Sequence, residues 1–135
     1  MLFRSAMNGA VDQRYFDAAY DLLSKNGKDS AFFERLRGYA SSMAVMMRHT
    51  SLPAAVLVYG SDGDTKDRKA TLETVRAILE QLGEPSISSN DLRGYYDEAK
   101  AKQSVICSNV LSSLLAIRQV CLMLISEEVY HYGEK

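Results

Sequence analysis

The stretch from Val105 to Ile125 reads VICSNVLSSLLAIRQVCLMLI, and it decides the fold class. Val110, Leu114, Ile117, Cys121 and Leu124 recur at three and four and form one apolar face. Leu111, Leu115 and Leu122 form a second. A helix apolar on two sides is the central element of a bundle or the contact to a second protein. The run is also long enough on paper to span a bilayer. Against a membrane span stand Arg118, Gln119, Asn109, Ser104, Ser108, Ser112 and Ser113. One central Arg costs roughly 2.5–3.5 kcal/mol on insertion scales, and each polar neighbour adds to that. The stretch therefore reads as a buried helix of a soluble protein, with no membrane partner expected.

Working back from it, the chain divides into helices. The first is expected from Asp12 to Ser24 or Lys25, with Tyr15, Phe16, Ala19, Leu22 and Leu23 as its stripe. Asn26-Gly27 is a stop signal. Asp29 or Ser30 caps a second helix reaching about His49, with Phe32, Phe33, Leu36, Ala40, Met43 and Met47 inward. A short helix from Leu52-Pro53 to Tyr59 is apolar nearly all round and should be buried; Pro53 fits its first turn. Gly60 to Asp64 is a loop, and Asp64 or Thr65 caps a fourth helix. Leu72, Val75, Ile78, Leu79 and Leu82 line that helix, and Gly83 with Pro85 ends it. Ser88 with Asp91 resembles a capping box. A turn of helix at Asp91–Arg93 is expected to lead past Gly94 into the long helix, which reaches about Val129.

Length and composition agree. The 135 residues suit one domain, 1–135, with 1–11 as a candidate disordered tail. Sixteen basic against seventeen acidic residues, 47% hydrophobic and 24% charged, exclude a disordered, collagenous or single-sign tail protein. Two Pro and eight Gly are too few for a sandwich or barrel with a turn about every 8–12 residues. No strand alternation or internal repeat appears. The expected fold is all-α: a single-domain bundle of five to six helices with a long apolar C-terminal helix. The N-terminus lacks a signal-peptide run. Cys107 and Cys121 lie about 21 Å apart along one helix and cannot bridge. Free thiols of this kind suggest the cytoplasm.

No catalytic constellation emerges, and the chain is expected to be no enzyme, with no metal or cofactor. Helical RNA-cleaving domains place an Arg before a His with four to six residues between. Those positions hold Ala44, Met43 and Ser42 before His49, and Ser126, Ile125 and Leu124 before His131. Glu128 and His131 have the spacing of a di-iron half-motif, but the second half and two further Glu are missing. Asp62, Asp64 and Glu73 invite a calcium-loop reading, yet Lys66 and Asp67 stand where a ligand and the turn Gly belong. No phosphate loop follows these glycines. The cysteines read as core thiols.

Basic surface remains. Arg37 and Arg48, eleven residues apart, project within roughly 20° of each other on one helix. Ser41 and Ala44 between them are small, and His49 adjoins. Lys66, Arg68 and Lys69 open the fourth helix. Such a strip can follow a phosphate backbone. Asp17 and Asp21 on the first helix can pair with a neighbouring copy or simply face solvent.

The element order resembles the small all-helical subunit of the type III-B (Cmr) CRISPR effector complex, over most of the chain. Ala19-Tyr20 matches an early Ala-Tyr, and Arg37, Ala40, Met43, Val45, Met46 and Arg48 match a run in the second helix. Arg48 to Tyr59 stands for the corner and apolar helix of that family, with Leu52 in its Leu place. Ser51 replaces the corner Gly, and Ile117 to Cys121 replace aromatic and basic residues of the last helix. The resemblance implies a non-catalytic subunit in antiviral defence that stacks with copies of itself and with other subunits and helps hold guide RNA–target RNA. Arg37, Arg48, Lys66, Arg68 and Lys69 are then the RNA-binding candidates. A self-associating all-α adaptor without a nucleic-acid partner, built on the apolar C-terminal helix, is the alternative. A divalent-metal enzyme using Asp62, Asp64 and Glu73 is a third.

Overall fold

The computed structural model describes residues 12–61 and 66–133, with side chains as far as 128. Among these residues all regular structure is helical: α1 Gln13–Ser24, α2 Ser30–His49, α3 Leu52–Gly60, α4 Lys66–Leu82, α5 Leu92–Ala101 and α6 Gln103–Gly133. The expected tail, 1–11, and the caps at Asp64 or Thr65 lie outside the described residues.

The ends form where side chains satisfy the first free N–H groups. Asp12 accepts from Arg14 N–H at 2.9 Å, Asp29 from Phe32 N–H at 3.0 Å and Ser51 from Ala54 N–H at 3.2 Å. Between α1 and α2 the chain turns through Gly27 at φ 72°. At the end of α4, Gly83 (φ 71°) donates to Glu80 O and Glu84 N–H to Leu79 O. That bond pair is a Schellman motif, which needs the left-handed residue Gly supplies.

α6 runs through the middle of the bundle. Its most extensive contacts are with α2 and α1, and it also touches α3, α4 and α5. At 1.5 Å per residue it spans about 46 Å, well beyond the about 30 Å of α2. The helix is long and apolar enough to cross a membrane by length and composition. Here Ile106, Val110, Leu114, Ile117, Val120 and Cys121 are closed off by the other helices. Of the second face, Leu111 and Leu115 are half-buried and Leu122 is 43% exposed, whereas the small Ser113 and Ala116, on the other flank of the first face, are fully buried. Around α6 gather Tyr15, Ala19 and Leu23 of α1, and Leu36, Ala40 and Met43 of α2. Leu72, Val75, Ile78 and Leu79 come from α4, and six of the nine residues of α3 are buried, with Leu57 turned to solvent. Each large side chain buried this fully contributes about 1.5–3 kcal/mol.

Two expectations are corrected. The chain continues helically through Gly94 but breaks at Lys102, so α5 and α6 are separate. Lys102 N–H bonds Glu98 O, while its own O takes both Val105 N–H and Ile106 N–H, which tightens the turn. Its ammonium meets Glu98 Oε2 at 3.0 Å, an i,i+4 pair that supports the last turn of α5. Ser88 does not cap. Asp91 is the N-cap of α5, accepting from Gly94 N–H at 2.7 Å, and Ser88 bonds Glu98 instead.

Candidate functional site

The five basic candidates do not form one surface. Arg37 is half-buried on α2; its Nη2 donates to Glu34 Oε1 at 3.0 Å, and its buried Nε has no acceptor among the described residues. It lies close enough to Cys121 of α6 to act on it electrostatically, which places its guanidinium at the α2–α6 seam. Burial pushes the Cys121 thiol up to about 12, with Arg37 opposing and Glu34 adding. The thiol is thus protonated and inert near neutral pH. Arg48, three turns along, is exposed and makes no ion pair among the described residues. Ser41 and Ala44 between them are half-buried. The strip is there, but one end is engaged.

Lys66, Arg68 and Lys69 sit across α2 from it. Arg68 lies 5.9 Å from the Tyr39 ring centroid, and Arg35 Nε donates to Asp67 at 2.6 Å. Arg35 and Tyr39 thus face the first turn of α4, about 200° around α2 from Arg37. Tyr39 meets Tyr59 edge-on at 6.4 Å, and burial raises the Tyr59 hydroxyl above its ordinary range. Lys66 is exposed and Lys69 half-buried. Two cationic groups therefore flank α2 where a single strip was expected.

The other candidates fall out of the site. Asp17 accepts from Gln13 at 2.8 Å and Asp21 pairs with Lys25 at 2.6 Å, so both are engaged within α1. Asp62 and Asp64 lie outside the described residues, as does the His131 side chain. Glu73 is exposed and approaches Arg76 at 3.9 Å. Among the described residues no group of three or more His, Cys, Asp or Glu could hold a metal ion.

The most elaborate polar arrangement was not anticipated. Arg76 of α4 donates from Nε to Ile87 O at 2.7 Å, from Nη2 to Ser89 O at 2.8 Å and from Nη1 to the Tyr95 hydroxyl at 3.0 Å. Opposite it, Glu98 of α5 accepts from the N–H groups of Ser88 and Ser89, both at 2.8 Å, and from Ser88 Oγ and Lys102 Nζ at 3.0 Å. Arg76 takes the carbonyls of Ile87 and Ser89, Lys102 Nζ that of Ser86 at 3.5 Å, and Glu98 the amides of Ser88 and Ser89, so the 83–91 loop is held without secondary structure of its own. Arg76 directly follows Val75 in the apolar stripe, a hint that it sits at the core's edge. Which carbonyls it meets depends on where the loop returns. Comparison with known proteins finds no matching family model, no matching curated protein and no matching solved structure.

Proposed function

We propose that this chain is a non-catalytic structural subunit of a type III CRISPR RNA-guided effector complex, stacking beside the guide-bearing subunits and contacting RNA through cationic residues on either side of α2. The resemblance along the chain supports this. So does the run of helices: a capped 20-residue α2, a short apolar α3 behind a Leu52 corner, a polar α4 and a long apolar α6. The observation that carries the proposal is Arg48, exposed in the last turn of α2 at the end of a strip of small residues. A phosphate chain can lie on such a strip without sequence preference.

The adaptor alternative has its own support. Val45 and Leu122 are each 43% exposed and Val105 is 55% exposed, apolar surface that another copy of the chain can cover.

Affinity purification from the native host at low salt, with mass spectrometry and RNA sequencing of the eluate, separates the two. Backbone subunits with short repeat-derived guide RNAs support the effector complex. An eluate of this chain alone, free of RNA and with a size independent of salt, supports the adaptor and ends the first proposal.

A further inference from the structure

An open cleft of about 480 Å³ lies between the α1–α2 turn and the first turn of α4, lined among others by Lys28, Asp29, Phe32, Arg35, Lys66 and Asp67. Three of these are cations from three separate positions in the chain. Both carboxylates are engaged: Asp29 caps α2 through Phe32 N–H at 3.0 Å, and Asp67 takes Arg35 Nε at 2.6 Å. The lysines are not neutralised in this way. Lys28 Nζ rests 5.5 Å from the Phe32 ring centroid, and Lys66 is exposed without an ion pair among the described residues. Phe32 is half-buried and braced edge-on by Phe33 at 5.7 Å, so its ring is a fixed wall.

We propose that this cleft binds one nucleotide unit, its base against the Phe32 ring and its phosphate between the Lys28 and Lys66 ammonium groups. The formal charge of the cleft is +1, three cations against two carboxylates, which a phosphate offsets. Phosphate alone would use the lysines and leave the aromatic wall idle; a nucleotide uses both, and stacking on an aromatic side chain is tolerant of base identity. Phe32 lines the cleft, and a base would take the place over its ring that the Lys28 ammonium now holds, the flexible Lys28 stem swinging to the phosphate. The source is either a free nucleotide or one residue of an RNA chain, and the site stands whichever assembly the protein joins.

The full chain, labelled with ¹⁵N, is titrated with adenosine monophosphate, inorganic phosphate and a single-stranded oligoadenylate while amide shifts are followed. The expected result is shifts confined to Gly27–Arg35 and Lys66–Ala70, with the nucleotide binding at least about five-fold more tightly than phosphate. K28Q with K66Q weakens the nucleotide about ten-fold at unchanged melting temperature. Phe32→Leu, which keeps an apolar wall, removes the excess over phosphate while phosphate affinity stays. Tighter oligoadenylate binding, with a salt slope reduced by about 0.7 in the double lysine variant, assigns the site to RNA; equal affinity per nucleotide assigns it to a free nucleotide. Equal binding of nucleotide and phosphate overturns the proposal, as do shifts centred on Arg48 or none at all. A host eluate without RNA would end the effector-complex proposal and leave this result untouched.

Discussion

Arg76 stacks its guanidinium 4.8 Å from the ring centroid of Tyr95 and donates to the same tyrosine's hydroxyl at 3.0 Å. Tyr95 in turn lies over Gly60, where an added Cβ would come within 2.7 Å of the ring. One residue pair thus joins the end of α3, the middle of α4 and the start of α5, and holds the loop between the last two.

Arg76→Met should therefore destabilise the fold by about 2–3 kcal/mol, because the carbonyls of Ile87 and Ser89 lose their donor beside the core. Arg76→Lys should recover only part, since an ammonium cannot reproduce three divergent bonds from one planar group. Urea unfolding measures both. A change below about 0.5 kcal/mol for Met would mean that the loop holds itself.

Two glycines should respond in opposite directions. A Cβ on Gly94 overlaps Ser89 Oγ, with Ser89 Cβ at 2.7 Å, so Gly94→Ala should cost about 1–3 kcal/mol despite the better helix former. Ser89→Gly in the same chain should remove most of that penalty. Gly38 in α2 has nothing within 4 Å of the added carbon, and Gly38→Ala should stabilise by about 0.5–1 kcal/mol. Thermal melts of the three variants test the geometry directly.

Glu98 should make stability fall on acidification. Burial raises its pKa, but Lys102 and the donors of Ser88 and Ser89 outweigh it, so the carboxyl sits below the usual glutamate range. A folded pKa below the unfolded one, about 4.3, gives stability that is full above that value. The contribution is lost as pH falls through the folded pKa. Glu98→Gln should flatten this part of the profile, read from urea midpoints between about pH 6 and 3. An unchanged slope would remove Glu98 as its source.

Cys121, fully buried and with its thiol held up to about 12, should resist iodoacetamide in the native protein and react once unfolded. Mass spectrometry of peptides alkylated at pH 8 gives the answer, and prompt native labelling would show that the α2–α6 seam opens.

Arg37 and Arg48 should separate in their effects on folding. Arg37→Glu sets two carboxylates side by side with Glu34 and strips packing from the seam, lowering stability by about 1 kcal/mol. Arg48→Glu, exposed in the last turn of α2, should stay within about 0.5 kcal/mol. Urea midpoints check both, and equal effects would mean that the seam contact adds nothing to the fold.

Periodicity was enough for the helices because burial in a bundle acts on local spacing. Phe33, Leu36, Ala40, Met43 and Met47 recur at three and four, and all are buried. A cap was legible where a side chain serves its own neighbours, as at Asp29. Ser88 was misplaced for the converse reason: its partner, Glu98, lies ten residues on and meets it only after the 83–91 loop has turned back. The break at Lys102 lies in its backbone, at φ −108° and ψ 15°, and no signal in residues 99–105 marks it. Helical angle set Arg37 and Arg48 on one side of α2, but angle is blind to what packs there.

The sequence by itself determined the all-α class, the α1 to α4 spans and the central apolar helix, since each depends on contacts a few residues apart or on composition. Only the tertiary structure decided which cations are engaged and which are exposed. It alone brought Lys28, Phe32 and Lys66 around one cleft and set Arg76 and Glu98 on opposite sides of one loop. Those relations join residues far apart in the chain, and they exist only once the helices have packed.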